Sequence, residues 1–147
     1  MNKEYILKEL HSIEEMKASL SIIQELYPAM TPEKYHSLLE EVVPHNYKQL
    51  VVLDGNNMVG ISGFWIATKI WCGKYLELDN VVVLADYRSK GIGKLMTDYL
   101  YQKALENDCT MLALDVYTDN YKGIKFYMNE GYIARGFHMI NVLKGKF

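Results

Sequence analysis

The sequence has little of what marks a specialised scaffold. Two cysteines, Cys72 and Cys109, stand in no metal-ligand spacing, so they read as ordinary free thiols of a reducing compartment. There are three prolines and no low-complexity or Gly/Ser-rich tract, which leaves no linker and no domain boundary to point to. No apolar run approaches the length of a membrane span, and the start, Met1-Asn2-Lys3-Glu4-Tyr5, lacks the apolar stretch of a signal peptide. Neither sign of charge dominates. Sixteen Lys and Arg against 18 Asp and Glu give a net charge of -2, which argues against the basic face that phosphate-backbone binding needs. The four histidines, His11, His36, His45 and His138, are scattered without metal spacing and read as surface or loop residues, so no metal centre is expected. These absences predict a single domain over residues 1–147, cytoplasmic, with neither nucleic acid nor membrane as a partner; a homodimer is compatible with them.

What is present is an ordinary globular balance, half hydrophobic and 23% charged, enough for one core without disulfides or metals. A short strand is expected near Tyr5-Ile6-Leu7. After Ser12, an N-cap type, apolar residues at Ile13, Met16, Leu20, Ile23 and Leu26/Tyr27 describe an amphipathic helix that Pro28 ends. Thr31-Pro32 starts a second helix, through about Val43. Leu50 to Leu53 reads as a strand, Asp54 to Asn57 as a turn, and Met58 to about Lys69 as the hairpin partner. Trp71 to Lys74 is a second turn, leading to a strand from Tyr75 to Leu84 with a Val81-Val82-Val83 run suited to a buried centre. A helix from Ile92 to about Asn107 follows, then a strand from Met111 to Val116, a short helix from Tyr121 to Asn129 closed by Gly131, and one or two strands within Ile133 to Leu143. The order predicts an α/β (α+β) layer, with helices on both faces of one sheet.

The informative unit is a strand, then Arg88-Ser89-Lys90-Gly91-Ile92-Gly93-Lys94, then a helix. A helix start presents main-chain N–H groups without intrahelical partners, and its dipole favours negative charge there. Glycines at 91 and 93 let the main chain come close to a phosphate, and Arg88 and Lys90 add positive charge. The physical content is a cradle for a diphosphate. Two rivals fail on detail. A dinucleotide fingerprint needs a third glycine where Met96 stands, and a P-loop needs Ser or Thr where Leu95 follows Lys94.

The run from Leu78 to Met96 closely resembles motif A of the GCN5-related N-acetyltransferases (the GNAT superfamily), with Ala85 where many members carry proline. Asp119-Asn120-Tyr121-Lys122-Gly123-Ile124-Lys125-Phe126-Tyr127-Met128-Asn129-Glu130-Gly131-Tyr132 resembles its motif B. The resemblance implies the GNAT fold, with a central mixed, mostly antiparallel sheet and helices on both faces. It implies an N-acetyltransferase that moves the acetyl group of acetyl-CoA, as co-substrate, directly to an amine. The modest size favours a small-molecule acceptor. A lysine or N-terminal protein acetyltransferase and a non-catalytic acyl-CoA-binding module are the alternatives.

The resemblance also assigns roles. The strand Val81-Val82-Val83, through the main chain of Val81 and Val83, would pair with the pantetheine arm. Arg88, Ser89, Lys90, Gly91, Ile92, Gly93 and Lys94 would hold the diphosphate, chiefly through main-chain N–H groups. Asn120 is either the N-cap of its helix or a hydrogen-bond partner of the coenzyme arm. Tyr127 matches the tyrosine whose hydroxyl protonates the leaving thiolate. An amine acceptor, protonated at neutral pH, needs a base. Glu77 and Asp79, two apart on a strand, share one face, the face given by the same parity as Val81 and Val83. Glu77 aligns with the glutamate base of the histone-acetylating branch and is preferred, with Asp79 next; a water chain to main-chain carbonyls would also serve. The acceptor would enter near Tyr27-Pro28-Ala29-Met30 and the region around Arg135-Gly136-Phe137-His138, with Glu25 and Glu33 beside the first.

Overall fold

The structure, a computed structural model, describes residues 4–145, so three of the residues behind the leader reading, Met1 to Lys3, lie outside it. The described residues fall into two compact units, one ending at Leu114 and one beginning at Asp115. The first holds a five-stranded sheet in the order β1 (Ile6–Leu10), β2 (Tyr47–Asp54), β3 (Asn57–Lys69), β4 (Gly73–Val83), β5 (Met111–Leu114). The first four strands are antiparallel neighbours, and β5 joins β4 in parallel. This is the mixed, mostly antiparallel sheet expected from the sequence.

Two helical layers cover it. On one face lie α1 (Ile13–Met16), α2 (Leu20–Ile23) and α3 (Pro32–Val42), whose Met16, Ile22, Ile23 and Leu39 form one buried cluster with Val51, Ile61 and Val82 of the sheet. On the other lies α4 (Ile92–Glu106). Its Ile92 packs so closely on β3 that a Cβ at Gly60 would come within 2.8 Å of Cγ2. Ile92, Met96 and Leu100 are fully buried. This close packing fixes α4 against the sheet.

The helix boundaries follow capping chemistry. Ser12 and Glu15 form a reciprocal capping box, and Thr31 caps α3 with Pro32 in its first turn. The single first helix expected from periodicity is instead two α segments joined by a 3-10 turn at Lys17–Ser19. The Ser19 hydroxyl, 2.8 Å from the Met16 carbonyl, competes for a main-chain acceptor and tightens the turn there. In the second unit, α5 (Tyr121–Asn129) forms as expected, with Gly131 left-handed at φ 92 past its end. Strand β5 stops at Leu114 rather than Val116, and no strand forms within Ile133 to Leu143. Apolar residues alone make no strand without a ladder to join, and Ile133, Phe137 and Met139 remain exposed instead.

A partly buried ion cluster ties β1 to α4. The Glu9 carboxylate, 9% exposed, accepts from Tyr99 Oη at 2.7 Å and pairs with Lys103 Nζ at 2.6 Å and His11 Nε2 at 3.2 Å. Burial pushes the Glu9 carboxyl up, but the hydrogen bonds from Lys103 and Tyr99, with the charge of Lys103, leave it below its usual value. Burial and the adjoining carboxylate push the Tyr99 phenol up to about 12. A depressed carboxyl stabilises the fold above its unfolded value and loses that contribution as pH falls through its folded value. Glu9→Gln should therefore cost about 1–3 kcal/mol at pH 7, since it removes one member of a paired cluster. Urea unfolding should show that deficit shrinking at pH 3; an equal deficit at both pH values would remove the charge of Glu9 from the account.

Candidate functional site

The candidates on β4 lie where that strand parts from β5 and slips its register against β3. The parallel pairing with β5 runs from Tyr75↔Met111 to Leu78↔Leu114 and ends, whereas β4 continues to Val83. The β5-side edge of residues 79–83 thus pairs with no strand among the described residues of the first unit. On the β3 side the register slips: Ile61 pairs with Val82 but Gly63 with Asp79, which leaves an extra residue on β4. Asn80, in the left-handed region at φ 52, absorbs it.

This bulge corrects the parity expected for the strand. Before it, Glu77 and Asp79 alternate with the buried Leu76 and Leu78 and lie on the α1–α3 face; after it, Val82 joins the core cluster of that face. Val83 pairs with Gly60, the position that approaches α4, and so takes the other face. Glu77 and Asp79 do share a face, but Val83 is not on it, because one inserted residue reverses the alternation. Glu77 stands opposite Trp65, whose indole Nε1 donates to Asp79 Oδ2 at 3.2 Å.

The turn into α4 is built for close main-chain approach. Ser89 lies at φ 59 and Gly91, the N-cap, at φ 81; no side chain caps the helix, and a Cβ at Gly91 would meet nothing within 4 Å. Arg88 reaches back to donate from Nε to the Val83 carbonyl at 3.2 Å, Lys90 lies over the Tyr87 ring at 5.1 Å, and Lys94 pairs with Asp98 at 2.8 Å. Ile92 turns its side chain into the core while Gly93 occupies the first helical turn. The uncapped helix start, the two left-handed residues and the open space at Gly91 fit a diphosphate bound by main-chain N–H groups.

In the second unit, Asn120 is the N-cap of α5, its Oδ1 accepting from the Gly123 N–H at 3.0 Å. Tyr127 packs edge-on against Phe126 and Tyr132, with ring centroids 5.1 and 5.5 Å away. Burial pushes its phenol up to about 12. Among the described residues no group of three or more His, Cys, Asp or Glu side chains could hold a metal, and no helix is long and apolar enough to cross a membrane.

Sequence reasoning missed Asn80, and with it the hydrogen-bonded set Tyr47, Gln49, Tyr35 and Ser19 behind it. A signal was present: Asp79-Asn80, two strand-averse residues of which Asn tolerates φ > 0, interrupt a run of strand formers.

A family model described as "Acetyltransferase (GNAT) family" matches residues 13–132. Thialysine N-epsilon-acetyltransferase of Sus scrofa is 25% identical over 129 residues, covering 86% of this chain and 74% of that protein. Among solved structures, the aminoglycoside N-acetyltransferase AAC(6')-Iy in complex with CoA superposes with a TM-score of 0.82 at 12% identity, over 99% of this chain and 98% of that one. Glucosamine-6-phosphate N-acetyltransferase from Arabidopsis thaliana does so with a TM-score of 0.75 at 20% identity, over 96% and 99%.

Proposed function

The chain belongs to the acetyltransferase (GNAT) family, and from that premise we propose that it transfers the acetyl group of acetyl-CoA directly to the amine of a small molecule. The observation that carries this reading is the strand edge of β4 left unpaired beyond Leu78, next in the chain to a helix start with no capping side chain. An extended pantetheine arm needs the first, through the main chain of Val81 and Val83, and a diphosphate needs the second, through the N–H groups of residues 89–94. The coenzyme brings the acetyl group as an activated thioester. The amine is a cation at neutral pH and must shed a proton to attack, so Glu77, or Asp79 beside it, is the proposed acceptor of that proton. A small amine as acceptor is supported by the relative named for thialysine.

Tyr127 is the proposed donor to the departing sulfur. Held near 12, its phenol stays protonated through the neutral range and acts as a hydrogen-bond donor to the developing thiolate, rather than as a strong acid. Tyr127→Phe should lower kcat by about ten- to a hundredfold, at or below the usual range for acid catalysis, with coenzyme affinity unchanged. An unchanged kcat would take Tyr127 out of the mechanism.

The experiment that tests the reading is an amine panel, including thialysine and polyamines, with free thiol release as the signal. Turnover with at least one amine supports it. Tight acetyl-CoA binding without turnover on any amine would favour a non-catalytic coenzyme-binding module.

A further inference from the structure

A chain of side-chain hydrogen bonds runs from the core of the first unit out to the β4 bulge. Ser19, Tyr35 and Gln49, all buried, close a ring: Ser19 Oγ lies 2.7 Å from Tyr35 Oη and 2.9 Å from Gln49 Oε1, and Gln49 Nε2 donates to Tyr35 Oη at 2.8 Å. Gln49 Nε2 also donates to Tyr47 Oη at 3.3 Å, Tyr47 Oη donates to Asn80 Oδ1 at 3.2 Å, and Asn80 Nδ2 donates to Tyr27 Oη at 3.0 Å.

The amide orientations relate these bonds, with the single Ser19 hydrogen shared between the Met16 carbonyl and Gln49 Oε1. A carboxamide carries two hydrogens on nitrogen and none on oxygen. Gln49 directs its nitrogen at Tyr35 and Tyr47 and its oxygen at Ser19, so Tyr47 accepts from Gln49 and passes its own hydrogen to Asn80 Oδ1. Asn80 must then turn its nitrogen to Tyr27. The seat for this arrangement is specific, since a Cβ at Gly63 would come within 2.7 and 2.9 Å of Tyr47 Cε2 and Cζ. Tyr47 also packs on Trp65 at 5.0 Å, and Trp65 is the residue that donates to Asp79. Asp79 and Asn80, adjacent at the bulge, are thus held by two aromatic residues that touch each other. From the buried ring this chain reaches Tyr27, 43% exposed, at the turn after α2.

We propose that Asn80 is a positioning residue for the acceptor amine: anchored from the core by Tyr47, it fixes the Tyr27 hydroxyl to the bulge that carries Asp79, so that the amine is received on the α1–α3 face of β4. This rests on the acetyltransferase reading. Asn80→Gly is the informative variant, because glycine keeps the left-handed main chain while deleting both contacts. With the amine best used by the wild type, Asn80→Gly and Tyr27→Phe should each raise the amine KM about fivefold, the effect of one lost hydrogen bond. The acetyl-CoA KM should stay at its wild-type value in both, the urea midpoint should stay there in Tyr27→Phe, and the double variant should raise the amine KM no more than either single one. Additive losses, an unchanged amine KM, or equal rises in both KM values would overturn the assignment. A wild type that binds no acetyl-CoA by calorimetry is a separate result, and it would sink the acetyltransferase reading itself.

Discussion

Replacing Gly91 with valine is expected to abolish acetyl-CoA binding while the protein stays folded. Calorimetry on the wild type should give a Kd on the order of 1 µM, and the variant should be weaker by at least about a hundredfold, or roughly 2.7 kcal/mol. Two effects combine. Gly91 sits at φ 81, where a β-branched residue is strained, so the turn would shift. Nothing within 4 Å would oppose the new side chain, so it would stand unhindered at the start of α4, where the diphosphate is proposed to meet the N–H groups. Gly55→Val is the matched control. Gly55, in the β2–β3 turn, has φ 60 and equally open surroundings. It should suffer a comparable strain and leave coenzyme binding intact. Equal binding by wild type and the Gly91 variant would dismiss the turn as a diphosphate site.

Glu77→Gln is expected to have the largest effect on turnover. A general base contributes at least about a hundredfold, and a glutamine of the same shape cannot take the proton. At pH 7 an alkylamine is almost wholly protonated, so the variant depends on the small fraction of free amine in solution. Its kcat/KM should then rise about tenfold per pH unit toward the amine pKa, and its deficit against the wild type should shrink as pH increases. Asp79→Asn is the companion measurement. One oxygen of Asp79 is engaged by the Trp65 indole, so its replacement should act mainly on the geometry of the bulge and give a loss that does not recover with pH. Full activity of the Glu77 variant at neutral pH, or a deficit constant with pH, would reject the base assignment and turn attention to Asp79 or to a water-mediated route.

Much of the helical framework of both units was legible because its signals are local. The caps at Ser12, Thr31 and Asn120 and the left-handed glycine at 131 lie where residue type alone put them, since each answers the orphan N–H or C=O groups of a helix end. The break in the first helix was not legible. Ser19 fits a helical stripe as well as any small residue, and only its packing against Tyr35 and Gln49, 16 and 30 residues away in the chain, gives its hydroxyl another use. The Ile133 to Leu143 segment shows the opposite failure, a strand-like composition with no ladder to join.

The residues that would touch the coenzyme were legible for a further reason. Their proposed contacts are main-chain ones, and a turn with glycine at 91 and 93 announces itself in the sequence. The proposed acceptor side was not, because its side chains are brought together by register. Whether Asp79 faces the same side as Val83, and whether Asn80 touches Tyr47 at all, depends on one extra residue in β4 between its pairings with Ile61 and Gly63.

By itself, then, the sequence determined the family, the strand–turn–helix unit and the caps at Ser12, Thr31 and Asn120, those caps being consequences of hydrogen-bonding needs met within a few residues. The tertiary structure alone decided the bulge at Asn80, the faces of Glu77, Asp79 and Val83, and the hydrogen-bond chain from Ser19 to Tyr27. Side-chain alternation has a period of two, so a single inserted residue reverses it, and where that insertion falls is chosen by packing between strands rather than by any one strand's composition.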